Sequence, residues 1–245
     1  MSESTSIALV TGANRGIGFE LSRTLARDHS FHVLLGSRNA SSGAEAVSTL
    51  QAEGLSVELV VLDLGSNTSI FAAAKEVEQK YGRLDVLVNN AGIYIDKWVP
   101  ESGGNVRATF QETFNTNVFG SASVTEAFVP LLTKSSLPRI VFISSILGSI
   151  TNQVDPEGGW IHFSGVTYRC SKAAINMLCA TYAMRFRDQG WKINTCCPGS
   201  VKTDINMHLG VMTTEEAMPN IVRLCTLGKD GETGTFSDAN GALPW

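Results

Sequence analysis

Residues 7–18 read Ile-Ala-Leu-Val-Thr-Gly-Ala-Asn-Arg-Gly-Ile-Gly, from Ile7 to Gly18. The four apolar residues Ile7, Ala8, Leu9 and Val10 predict a strand with no polar face, as in a parallel sheet covered on both sides. Glycines follow at 12, 16 and 18, and Ile17, Leu21 and Leu25 then recur every fourth residue, which places them on one helix face. Glycine permits a tight turn and lets phosphates approach the backbone, while the start of the helix offers free N–H groups and a partial positive charge. Strand, glycine turn and helix in that order are the context a dinucleotide phosphate site requires. Gly12, Asn14, Arg15, Gly16, Ile17 and Gly18 are therefore candidate cofactor-binding residues.

The same alternation runs on along the chain. Short runs rich in Val, Ile and Leu occur at 31–35, 57–62, 84–88, Arg139–Ile143 and Lys192–Cys196. Helical patterns lie between them at 41–53, 66–81, 106–133 and 168–188, several stopped by Gly54, Gly82 or Gly190. Strand–helix alternation predicts an α/β fold of the Rossmann type, a doubly wound sandwich with helices on both faces of a mostly parallel sheet. No stretch rich in Pro, Gly and Ser divides the chain, so residues 1–245 are expected to form one domain. Two irregular segments, 152–165 and 204–219, follow predicted strands and belong at the carboxyl edge, where ligands bind in such sheets.

Composition narrows the function. The 245 residues carry 19 Lys and Arg against 23 Asp and Glu, a net charge of −4 that does not favour nucleic acid. No apolar run is long enough for a membrane span, and no basic region precedes the first apolar stretch, so a cytoplasmic address is expected. The five cysteines contain no C-x-x-C pair, and His29, His32, His162 and His208 have no metal-ligand spacing. Neither a disulfide framework nor a metal site is expected.

Cofactor choice is legible after the second predicted strand. An NAD site places an acid about 20 residues past the glycine turn, for the ribose 2′-hydroxyl. No Asp or Glu occurs from Phe31 to Ala44, and Arg38 stands there instead, with Arg15 inside the glycine turn. A guanidinium suits the 2′-phosphate of NADP by charge and by its bidentate fork. Further on, Tyr168 and Lys172 are four apart on a predicted helix and share one face. A nearby ammonium favours tyrosinate and lowers a pKa that is otherwise near about 10, as does oxidised nicotinamide. That pair reads as a general acid/base.

The spacing G-x-x-x-G-x-G resembles the short-chain dehydrogenase/reductase family, and six further motifs resemble it in order along the whole chain. Asp63-Leu64 matches the adenine-contacting segment, and Asn89-Asn90-Ala91-Gly92 matches the NNAG motif. There the first Asn holds the sheet, while the backbone of Asn90, Ala91 and Gly92 approaches the cofactor. Asn117-Val118-Phe119-Gly120 resembles the family's N-V-x-G segment, whose Asn holds a water that links the Lys to solvent. Ser145 matches the catalytic Ser of a Ser-x-x-Gly context that ends at Gly148. Tyr168-x-x-x-Lys172 matches the catalytic pair. Pro198-Gly199-Ser200-Val201-Lys202-Thr203 resembles the P-G-x-x-x-T loop, where Pro198, Gly199, Val201 and Thr203 hold the nicotinamide carboxamide and a phosphate.

The resemblance implies a mostly seven-stranded sheet, NADP(H) as cofactor, and Asn117, Ser145, Tyr168 and Lys172 as catalytic residues. Lys172 would also bind the ribose hydroxyls beside Tyr168. The residues from Tyr168 to Asn176, with the tail Gly234-Thr235-Phe236 and Leu243-Pro244-Trp245, look like the Sniffer carbonyl reductase and C-factor branch. The implied activity is NADPH-dependent reduction of a ketone or aldehyde. An NADP-dependent alcohol dehydrogenase, a biosynthetic ketoreductase and a non-catalytic cofactor-binding signalling protein stand as alternatives. A homodimer is implied, with monomer and tetramer as other outcomes. Met207, His208, Leu209, Val211 and Met212 are candidate lining of a substrate pocket, and 152–165 a candidate mouth.

Overall fold

The computed structural model describes residues 5–96, 105–155, 157 and 165–245. Eight strands form one sheet: β1 Ile7–Val10, β2 His32–Ser37, β3 Val57–Val61, β4 Val86–Asn89, β5 Arg139–Ile143, β6 Lys192–Cys196, β7 Phe236–Asp238 and β8 Gly241–Ala242. Their order is β3-β2-β1-β4-β5-β6-β7-β8, and every neighbouring pair is parallel except β7 with β8. Among the described residues the expected seven strands are thus eight. The extra one is two residues long and antiparallel, too short to leave a periodic signal in the sequence.

The helices are α1 Gly16–His29, α2 Ala40–Ala52, α3 Asn67–Tyr81, α4 Val106–Phe114, α5 Ser121–Leu132, α6 Ile150–Val154, α7 Val166–Arg185 and α8 Met218–Cys225. Their starts follow local chemistry. Asn39, Ser66 and Asn105 each accept an N–H of the following first turn, which would otherwise lack a partner. Gly82 ends α3 in the left-handed region, a conformation glycine adopts without strain.

Strand residues alternate between two cores. Ala8 and Val10 face Leu21 and Leu25 of α1, Val47 and Leu50 of α2, and Ile221 and Leu224 of α8. Ile7 and Leu9 face the other way, toward Ile70 and Val77 of α3, Val124 and Phe128 of α5, and Ile175 and Cys179 of α7. Both faces are covered, which is why the strands read as unbroken apolar runs. The chain order turns at β1: it winds outward to β2 and β3, then crosses back to β4 on the other side. The crevice between the carboxyl ends of β1 and β4 is where such sheets take ligands.

Candidate active site

The crevice is built around Thr11, which directly follows β1. Its hydroxyl donates to Val88 O at 3.3 Å and accepts the N–H groups of Asn90 and Ala91 at 3.0 Å each. The Asn90 amide donates to Thr11 O at 2.8 Å and Gly12 O at 3.2 Å, so its side chain shapes the glycine turn from behind. Gly12 and Gly16 both have positive φ, at 61° and 59°. A Cβ on Gly12 would lie 2.9 Å from Ala91 Cα, and one on Gly18 would lie 2.5 Å from the Asn90 amide nitrogen. The turn and the Asn89–Gly92 loop therefore pack as one bare backbone cradle, which fits a diphosphate bound against N–H groups. Asn14 is tied to Ser42 at 3.3 Å, and Ile17 packs on the core beneath.

The remaining cofactor candidates rim this cradle. Asp63 closes its own turn by accepting Gly65 N–H at 3.0 Å, and Leu64 is buried, with Gly120 pressed on it so closely that a Cβ would meet Leu64 Cβ at 2.7 Å. Across the crevice, a Cβ on Gly16 would touch Thr203 Cγ2 at 3.4 Å, so the 198–203 loop faces the glycine turn directly. Gly199 takes φ 82°, and Val201 is buried with its carbonyl accepting the Asn206 amide at 2.8 Å.

The proton-handling candidates lie on the next two elements. Lys172 is only 5% exposed, and its ammonium donates to Ile143 O at 2.7 Å, at the carboxyl end of β5. It lies 5.4 Å from the centre of the Tyr168 ring, one turn earlier on α7. Gly148 explains how the helix comes so close: a Cβ there would meet Lys172 backbone C and Cβ at 2.7 Å. The glycine of Ser145-x-x-Gly148 is thus a packing requirement of the lysine. The two adjacent serines separate cleanly. Ser144 is buried and its hydroxyl donates to Lys172 O at 3.3 Å, whereas Ser145 is half-buried just past the strand and accepts Leu147 N–H at 3.2 Å.

Asn117 lies in a π-helical turn, Asn115–Gly120, that interrupts the expected single helix 106–133 between α4 and α5. Such single turns often mark functional positions. Its amide accepts Ile93 N–H at 2.8 Å and donates to Ile93 O and Ser171 Oγ at 3.0 Å each. Ser171 Oγ in turn donates to Tyr168 O at 2.7 Å. A Cβ on Gly92 would lie 3.4 Å from Asn117 Oδ1 and 3.6 Å from Lys172 Nζ, so Gly92, Asn117 and Lys172 enclose one small space. Both amide hydrogens of Asn117 are committed, and the side chain acts by holding Ile93 and Ser171.

Known proteins match the chain over nearly all of its length. A family model described as short chain dehydrogenase matches residues 6–213. The chain belongs to the short-chain dehydrogenase family. A short-chain dehydrogenase/reductase of Stachybotrys chlorohalonatus is 37% identical over 98% of this chain and 94% of that protein. Carbonyl reductase [NADPH] 1 of Mus musculus is 33% identical with full coverage of both chains. The crystal structure of NADPH-bound carbonyl reductase from chicken fatty liver superposes with a TM-score of 0.85 at 29% identity, over 98% of this chain and 99% of that one. Within the short-chain dehydrogenases the chain lies close to the carbonyl reductase branch.

Three expectations change in detail. Tyr168 does not have a lowered pKa: burial lifts the phenol well above its ordinary value, with Cys197 and Tyr94 adding to the shift. Burial also pulls Lys172 down to about 8. Loss of water disfavours tyrosinate and ammonium alike, and it is the largest cause of both shifts. Arg15 is tied to Asp204 at 2.9 Å, while Arg38 is exposed with no ion pair among the described residues. The 204–219 segment folds back on the 198–203 loop, with Met212 O accepting Lys202 N–H at 2.8 Å, and leaves Met207, Leu209 and Val211 exposed. Met212 packs on Gly199, and His208 pairs with Asp204 at 2.8 Å. Of the candidate mouth, residues 156 and 158–164 lie outside the described residues; the segment's start belongs to α6.

Sequence reading missed Thr11, Tyr94, Asp96 and Ser171. Thr11 and Ser171 adjoin motif residues and carry only common hydroxyls. Tyr94 and Asp96 follow the Asn89–Gly92 motif, and nothing local shows that they reach α7.

Proposed function

We propose that the chain reduces a ketone or aldehyde with NADPH. The observation that carries this reading is the buried linkage Ile93–Asn117–Ser171–Tyr168, with Lys172 anchored to Ile143, beside a glycine cradle at the turning point of the sheet. Gly12, Asn14, Arg15, Gly16, Ile17, Gly18, Asp63, Leu64 and the Asn90–Ala91–Gly92 backbone would hold one part of the dinucleotide. Pro198, Gly199, Val201 and Thr203 would hold the nicotinamide end, and Arg15 with Arg38 would meet the 2′-phosphate. When bound, the nicotinamide supplies the hydride that the carbonyl carbon receives.

The chain's own residues handle the oxygen. Ser145 donates its hydroxyl hydrogen to the carbonyl oxygen and stabilises the charge that develops there. Tyr168 then gives its phenolic proton to that oxygen. A raised pKa keeps the phenol protonated near neutral pH, the form that can give a proton to the carbonyl oxygen. Lys172 carries a positive charge below about pH 8 and offsets the tyrosinate left behind. Asn117 keeps Ser171, and through it the Tyr168 carbonyl, in place.

The test is NADPH consumption with a panel of ketones, diketones, quinones and aldehydes, with NADH in parallel. Turnover with NADPH, and little with NADH, is expected. Tight NADPH binding with no turnover on any carbonyl contradicts the reading, and a preference for NADH removes the role given to Arg15 and Arg38.

A further inference from the structure

Helix α7 carries Tyr168, Ser171 and Lys172, yet its own N-cap residue does not cap it. Gly165 stands there with φ 116° and provides no side-chain acceptor. The first N–H groups of a helix have no partner within it and need one from elsewhere. Asp96, 71 residues away in sequence, supplies it: one carboxylate oxygen accepts Thr167 N–H at 2.7 Å. The other accepts Tyr168 N–H at 3.3 Å and the Thr167 hydroxyl. These are the second and third helical residues, the N–H groups that a cap residue serves. The Thr167 hydroxyl lies 3.3 Å from that of Thr113 on α4, so the cap also ties two helices together.

The segment that bears Asp96 is itself fixed. Asn117 holds Ile93 through both its N–H and its carbonyl. Tyr94 then rests on the Tyr168 ring, with centres 5.0 Å apart. Gly165 makes room for it: a Cβ there would meet the Tyr94 ring at 3.0 Å. Tyr168 is thus held at its backbone by Asp96 and along its ring by Tyr94.

We infer that Asp96 is a positioning residue for the proposed reduction, holding the first turn of α7 so that the Tyr168 phenol stays aligned with the carbonyl oxygen. Hydrogen bonds from helix N–H groups to a carboxylate are charge-assisted and suit the positive end of the helix dipole. An apolar residue at position 96 frees those N–H groups and lets the turn carrying Tyr168 shift. A displacement of about 1 Å in such a group lowers a rate by up to about 100-fold. The inference rests on the reductase reading and is tested so that the two fail separately.

The experiment compares the full-length chain with Asp96→Ala and Asp96→Asn, using NADPH and a carbonyl that the unaltered chain turns over. For Asp96→Ala, kcat is expected to fall by roughly 30- to 100-fold. The NADPH dissociation constant, read by fluorescence, is expected to stay within about twofold, since the glycine cradle is untouched. Asp96→Asn keeps one acceptor oxygen and is expected to recover part of the loss. Hydrogen exchange gives a readout independent of turnover: amides of residues 167 and 168 should exchange faster in Asp96→Ala, with the rest of α7 unchanged. An unchanged kcat together with unchanged exchange overturns the inference. So does a parallel loss of kcat, NADPH binding and melting temperature, which marks a general structural role. Failure of the unaltered chain to turn over any carbonyl overturns the reductase reading instead, and the exchange data still decide whether Asp96 holds the turn.

Discussion

Lys172 and Arg38 are both cations at the carboxyl edge of the sheet, and they are held in opposite ways. Lys172 is 5% exposed, bonded to Ile143 O at 2.7 Å and enclosed by Gly92, Gly148 and Asn117. Arg38 stands in solvent after β2, with no ion pair among the described residues. Burial makes the lysine's charge conditional on pH and strong at short range. The arginine's charge, exposed to solvent, is screened by salt. The comparison separates two tasks. On the proposed function, proton handling would be built into a packed interior, whereas recognition of the 2′-phosphate would fall to surface side chains.

The largest expected effect that sharpens this contrast is at Arg38. If Arg38 meets the 2′-phosphate as proposed, Arg38→Ala should remove a charge-assisted contact of about 1.5–3 kcal/mol and raise the NADPH KM by about 10- to 100-fold. Its kcat and its NADH KM should be unaltered in steady-state assays. A loss confined to kcat would break the comparison.

The next effect lies in pH. Lys172 is charged below its depressed value of about 8 and neutral above it, so kcat/KM for reduction should hold below that pH and fall as pH rises through it. The profile of Arg38→Ala should keep the same shape, because Lys172, the group that sets it, is unaltered. A profile that stays flat well past pH 9 would remove the role assigned to the lysine charge.

The smallest effect concerns Arg15. Its pair with Asp204 is exposed, at 71% and 48%, and such pairs contribute about 0.2–1 kcal/mol. Asp204→Asn frees Arg15 for the phosphate and should lower the NADPH KM by about two- to fivefold, within that energy. An unchanged or raised KM would show that Asp204 does not compete for Arg15.

The same contrast governs what the sequence could reveal. The glycine turn, the apolar strands and the Tyr168–Lys172 pair are local patterns, with period, spacing or residue type that survive without coordinates. The doubly wound sheet followed from them. The two-residue β8 did not, because Gly241 and Ala242 carry no periodicity. The π-helical turn at Asn115–Gly120 was invisible for a related reason: one extra residue per turn barely disturbs a helical pattern. Asp96 reaches Thr167 across 71 residues, and no local signal marks such a bond. The direction of the Tyr168 shift was misread because spacing shows the neighbouring ammonium and does not show burial, which dominates.

The most direct test of the account is Tyr168→Phe, measured for both kcat and NADPH affinity with a carbonyl that the unaltered chain reduces. A phenol acting as general acid contributes about 100- to 10,000-fold to the rate, so kcat should fall within that range while NADPH binding stays within about twofold. A variant that keeps more than about a tenth of the original kcat would contradict the assignment of Tyr168 as the proton donor.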